Sequence, residues 1–161
     1  MANITNIATE CQTITDAFAS IKTFIYDRLE EINAGRAKQY PVLLLDSNAT
    51  QTNLKYDKST GLPSVKQYAT KLFFFDLYDE TSKDSTDLET KQGDLQQIAD
   101  QWWAEFRRRN DNNSNGLLLA NKDTIAGLFA HDTQNDKLIQ IAYDVVFRTF
   151  EESCTVGTFN Y

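Results

Sequence analysis

The segment 65-VKQYATKLFFFDLYDE-80 constrains the fold more than any other part of the chain. It has the length and aromatic content of a strand, and it leaves through an acidic exit. Alternate residues of a strand face opposite sides. Val65, Ala69, Phe73, Phe75 and Leu77 share one side, and Tyr68, Leu72, Phe74 and Tyr78 share the other. Both sides are apolar. A strand with one wet face alternates apolar with polar residues, so this one predicts cover on both faces. The cover is a helix on each face, or a second subunit on one of them. A buried central strand gives the same pattern.

The flanking segments predict a small α/β unit. Ile14, Phe18, Ile21, Ile25, Leu29 and Ile32 step by three or four, which predicts a helix over 13–34, ended by Gly35. The continuous run 42-VLLLD-46 predicts a strand, and 47–64 a loop or hairpin tip with room for a short strand at Leu54 and Tyr56. Leu95, Ile98, Trp102 and Phe106 predict a second helix reaching Arg109. Asp94 with Gln97 fits a capping box there, whereas a start near Thr86 leaves Gly93 inside the helix at a cost of about 1 kcal/mol. Trp102 and Trp103 are expected to diverge, with one of them at a sheet edge or a subunit contact. After the break 110-NDNNSNG-116, paired strands are expected over 124–130 and 138–151, joined by the turn 132–137. The expected fold class is α/β (α+β): a mixed, largely antiparallel sheet with two helices packed against it. The expected divisions are a flexible arm at 1–12, one domain at 13–152, and a tail at 153–161 whose aromatics predict docking on the domain or a neighbour.

The chain has 161 residues, enough for one real core. Its 16 basic and 23 acidic residues give a net charge of -7, which argues against a broad nucleic-acid grip. An acidic surface around DNA would instead let a duplex slide. His131 is the single histidine, so a multi-histidine metal site is excluded. Asp76, Asp79 and Glu80 read as a solvated strand exit, because Asp76 and Asp79 have opposite parity. Asp132, Asn135 and Asp136 lack the ordered calcium-loop motif. Cys11 and Cys154 stand in no metal spacing and read as free thiols, although a disulfide joining the ends stays open. Phosphate-loop, dinucleotide, serine-elbow and HExxH motifs are missing. The expectation is no catalysis, no cofactor and no metal. The apolar runs are too short to span a membrane, and the polar N-terminus predicts no secretory segment. The chain therefore reads as soluble and matured in a reducing compartment.

The order of these segments resembles the tail terminator proteins of long-tailed bacteriophages, the family of the minor tail protein U. The resemblance rests on the leading helix with its Phe18–Ile32 stripe, on 41-PVLLLD-46, on 68-YATKLFFFDLYDE-80, on 94-DLQQIADQWWAEF-106, and on 135-NDKLIQIAYDVVFRTFEE-152. It implies a ring, usually of six subunits, that caps the tail tube, joins it to the head connector and lets DNA pass. It implies a virion protein, made in the bacterial cytoplasm, whose partners are the tube and neck proteins. A closed ring needs two different surfaces on each subunit. The candidates are Tyr68, Phe74 and Tyr78 on one strand face, Trp103 on the second helix, and the basic cluster Arg107, Arg108 and Arg109. A head-completion or neck connector ring, often of twelve copies, and a small non-viral protein-binding module are the alternatives.

Overall fold

The computed structural model describes residues 4–28, 39–78, 86–110, 117–119, 121, 124–131 and 138–150. Two helices and seven strands occur among them: α1 (Ile4–Asp16), β1 (Thr23–Asp27), β2 (Val42–Asp46), β3 (Thr50–Tyr56), β4 (Pro63–Leu77), α2 (Thr86–Asn110), β5 (Leu117–Leu119), β6 (Gly127–His131) and β7 (Leu138–Phe150). All seven strands belong to one sheet with the central order β1-β2-β4-β7-β5. Only β1 and β2 run parallel; the other pairings are antiparallel. The expected α+β class, with a mixed and largely antiparallel sheet, is what the chain adopts.

The long strands β4 and β7 form the spine, paired without a break from Val65↔Phe150 to Leu77↔Leu138. Each changes partner along its outer edge. On β4, β3 pairs with Pro63–Ala69 and β2 with Leu72–Phe75. On β7, β5 pairs with Phe147–Thr149 and β6 with Ile139–Tyr143. The chain turns from β2 into β3 at the β4 switch point. There the Thr70 hydroxyl donates to the Asp46 carbonyl at 2.7 Å, and the Asp46 carboxylate accepts from the Asn48 amide at 2.9 Å.

The N-terminal region corrects two expectations. Residues 4–12 belong to α1, with Ile7, Ala8 and Cys11 buried, so an arm does not occupy 1–12 in the described part. The helix expected over 13–34 ends at Asp16, and its Thr23–Asp27 portion is β1; positions 29–34 lie outside the described residues. The physical reason is visible in the spacing. The helical stripe starts earlier, with Ile4, Ile7, Cys11, Ile14 and Phe18 stepping by three and four. The β-branched and aromatic run 23-TFIYD-27 then pairs with β2 instead of extending the helix. Tighter backbone bonds close the helix end, from Ala17 to the Ile14 carbonyl at 3.1 Å and from Phe18 to that of Thr15 at 2.9 Å.

Both helices bury their apolar sides in one cluster on one sheet face. Leu43 and Leu45 of β2, Leu72 and Phe74 of β4, and Ile139, Ile141, Tyr143, Val145 and Phe147 of β7 meet them there. Helix α2 starts at Thr86, not at the capping box, and keeps Gly93 exposed where no Cβ contact is lost. Trp102 and Trp103 do not diverge as expected. Both are buried in the same core, with rings 4.9 Å apart at 85°. The helix lies deep between two partners. Trp102 reaches α1, donating from Nε1 to the Thr15 hydroxyl at 3.2 Å, while Trp103 packs edge-on against Tyr143 of the sheet at 5.5 Å.

The opposite sheet face holds a second buried cluster of Val42, Leu44, Phe73 and Phe75, with the two phenylalanine rings stacked 5.8 Å apart. On this second face β4 is covered only at Phe73 and Phe75: Val65 is half-buried, and Ala69 and Leu77, expected to be covered with them, are exposed. Among the described residues, neither helix packs on this second face.

An ion pair ties the C-terminal end of α2 to the middle of α1. Arg109 donates to both Glu10 carboxylate oxygens, at 2.6 and 3.0 Å, and the Asn110 amide donates to Glu10 at 3.2 Å and to the Phe106 carbonyl at 2.9 Å. The Arg109 hydrogen bond holds the Glu10 carboxyl below its usual range, against the opposing pull of partial burial. A depressed carboxylate stabilises the fold above its unfolded pKa, and loses that contribution as pH falls through its folded value. Glu10→Gln is expected to cost about 1–3 kcal/mol at neutral pH, and the gap from wild type should close on acidification below the ordinary glutamate range near 4.3. Urea midpoints at pH 7 and pH 3 test this; a gap unchanged between them refutes the ion-pair account.

Candidate oligomer interface

The predicted contact residues do not form one surface. Tyr68, Phe74 and Tyr78 lie on the helix side of the sheet and are buried within the chain, at 4%, 1% and 8% exposure. Phe74 meets Trp102 and Tyr143 edge-on, each at 5.9 Å. Tyr78 lies edge-on to His131 at 6.3 Å. Trp103 is also a core residue. Tyr68, Phe74 and Tyr78 therefore shape the fold, because the helices cover the strand face assigned to a second subunit, while Trp103 packs in the core and also lines a groove beside β6. The arginines separate as well. Arg108 clasps Glu105 through two bonds of 2.7 and 2.6 Å, Arg109 joins Glu10, and Arg107 is exposed on the side of α2 toward β6.

Among the described residues, four of the six large exposed apolar side chains stand at two diagonal corners of the sheet; the other two, Tyr26 of β1 and Leu77 at the end of β4, are 38% and 40% accessible and stand apart from them. At one corner β3 is exposed along its whole length, with Leu54 41% and Tyr56 58% accessible. At the other, Leu128 and Phe129 of β6 are 70% and 42% accessible. Register fixes their separation. Tyr56 pairs with Pro63, and Phe129 lies across β7 from Phe74. At about 3.3 Å per residue, the Pro63–Phe74 run of β4 sets the corners roughly 35 Å apart.

The β3 corner ends in a well-closed turn. The Asp57 amide donates to the Leu62 carbonyl at 2.9 Å, and Gly61 donates back to Asp57 at 2.8 Å from a left-handed φ of 68°. The Asp57 carboxylate accepts from the Ser59 and Thr60 amides at 2.7 and 3.2 Å, and from the Ser59 hydroxyl. Those bonds hold its pKa below the usual aspartate range. The tip is thus preset, although it packs on little.

The β6 corner borders a groove of about 470 Å³ against α2. Asp100, Trp103, Ala104 and Arg107 form the helix wall, and Gly127 and Phe129 the strand wall, with Tyr143 between them. Gly127 is required there: a Cβ would stand 2.9 Å from Ile141 Cγ2 and 3.0 Å from the Tyr143 ring. Burial, with a smaller contribution from the Asp100 charge, pushes the Tyr143 phenol up to about 12, so it remains a protonated donor. The Trp103 indole Nε1 is buried and has no hydrogen-bond acceptor. Such an orphaned donor costs about 1–3 kcal/mol unless something fills the role. The groove offers aromatic surface and one wall charge of each sign, a set suited to holding a chain segment.

The other polar candidates stay apart. His131 is exposed at the end of β6, and burial raises the Asp76 pKa, while Asp79, Glu80, Asp132, Asn135 and Asp136 lie outside the described residues. Burial holds the Cys11 thiol protonated, and Cys154, the tail 153–161 and the turn 132–137 are likewise outside them. Among the described residues no three His, Cys, Asp or Glu side chains gather as a metal site, and no helix is long and apolar enough to cross a membrane. The chain matches no protein-family model and no curated protein.

Proposed function

We propose that this chain is a structural subunit of a phage virion ring, which ends the tail tube, joins it to the head connector and leaves a channel for DNA. The observation that carries the reading is the pair of exposed apolar corners on opposite edges of one sheet. They differ in sequence and shape, so they suit a head-to-tail contact, and a head-to-tail contact that closes makes a ring. The segment order that resembles tail terminators, and the net charge of -7 suited to a sliding duplex, support it. The role is structural, with the tube and neck proteins as partners and six copies favoured. A neck ring of twelve copies is the second reading, since the same two corners serve either closure.

Native mass spectrometry of the full chain across concentration and salt tests it. A hexamer is the expected result. A dodecamer moves the assignment to the neck. A monomer at every concentration that also fails to bind tail tubes refutes the ring.

A further inference from the structure

We propose that the β3–β4 hairpin tip of one copy occupies the α2–β6 groove of the next. The inference rests on the ring reading for its biological setting, but on the two corners for its contact. The roughly 35 Å between them keeps a hairpin tip out of its own chain's groove, so a tip that fills this groove comes from another copy. The preset turn at Asp57–Leu62 presents Tyr56 and Leu54 without a large ordering cost. Tyr56 supplies a ring to pack with Phe129 and Tyr143 along the groove. Charge agrees as well. Lys55, Asp57 and Lys58 bring both signs to the tip, and Asp100 and Arg107 stand two helical turns, about 10 Å, apart on the groove wall. Ala104, exposed between those two, leaves the space open.

Crosslinking tests the contact apart from ring closure. Tyr56→Cys and Ala104→Cys are combined in a Cys154→Ser background and treated with a thiol-to-thiol crosslinker; both new positions are exposed, and circular dichroism checks the fold. The expected result is a ladder of multimers on a denaturing gel, monomer from either single variant alone, and dimers when the single variants are mixed. Tyr56→Ser and Ala104→Arg are each expected to raise the concentration for half-assembly roughly tenfold or more. No ladder, or dimers from Tyr56→Cys alone, overturns the proposal; the latter would mean a like-with-like contact. Native mass spectrometry of the wild type reads the ring separately. A closed ring without a ladder sinks the hairpin contact alone, and a ladder without a closed ring keeps the contact and sinks the ring.

Discussion

Trp102→Ala is expected to remove about 3–5 kcal/mol of stability, the usual cost of truncating a fully buried tryptophan. The indole is 0% exposed and fills the space between α1, α2 and the sheet. It meets Phe106 at 5.6 Å in a stacked arrangement and Phe74 at 5.9 Å edge-on. It also anchors Thr15, whose hydroxyl donates to the Cys11 carbonyl at 2.7 Å. Stabilities of single domains run to about 5–15 kcal/mol, so the loss would consume much of the total. For a chain this size it lowers Tm by roughly 10–15 °C. Trp102→Phe keeps most of the ring and loses the Thr15 bond, for a smaller loss near 1 kcal/mol. Thermal and urea unfolding measure both. If Trp102→Ala cost less than 1 kcal/mol, α1 would not be docked on α2 as described.

Leu44→Ala is expected to destabilise the protein by about 2–5 kcal/mol, as much as Leu43→Ala. The two neighbours point to opposite faces of β2, and both are 0% exposed. Leu43 lies under the helices. Leu44 joins Val42, Phe73 and Phe75 on the face where the described residues place no helix. Matched losses, read as urea midpoints with unchanged slopes, establish that this face is interior in the isolated chain. A Leu44→Ala cost within about 0.5 kcal/mol, the range of a surface change, would mean that the face is open.

The apolar patterns that carried the sheet were legible because long buried strands leave little choice. Val42–Asp46 was read to the residue, and β4 and β7 within a residue or two, since a run apolar on both parities has few other places to go. The N-terminus departs from its pattern because Ile14, Phe18, Ile21 and Ile25 sit at helical spacing by coincidence. The helix in fact uses the same phase but starts at Ile4, in a stretch whose threonines and asparagine look loose. The signal missed was the β-branched and aromatic content of Thr23–Tyr26. Leu117–Leu119 escaped because three apolar residues after a polar linker do not declare a strand.

The site was harder to read. Trp103 and Arg107, two of the expected contact residues, line the groove, yet the strand face expected to meet a neighbour is the one the helices cover. When both parities are apolar, sequence alone does not say which side a helix takes. Leu128 and Phe129 are surface residues that the pattern does not flag. Two adjacent large apolar residues in a strand of five, bounded by polar runs, put one side chain on each face of an edge, and that was the available clue.

The independence of the β3–β4 tip from the core has a consequence for how this molecule can vary over time. No β3 side chain is buried, so the core imposes no size or polarity on those positions. Lengthening each limb by two residues would preserve which face every side chain takes, yet move the tip outward by about 7 Å. Reach can thus drift in steps while the body stays constant. A lineage could retune its fit to a changing neighbour at the tip alone, without reopening the problem of how to fold.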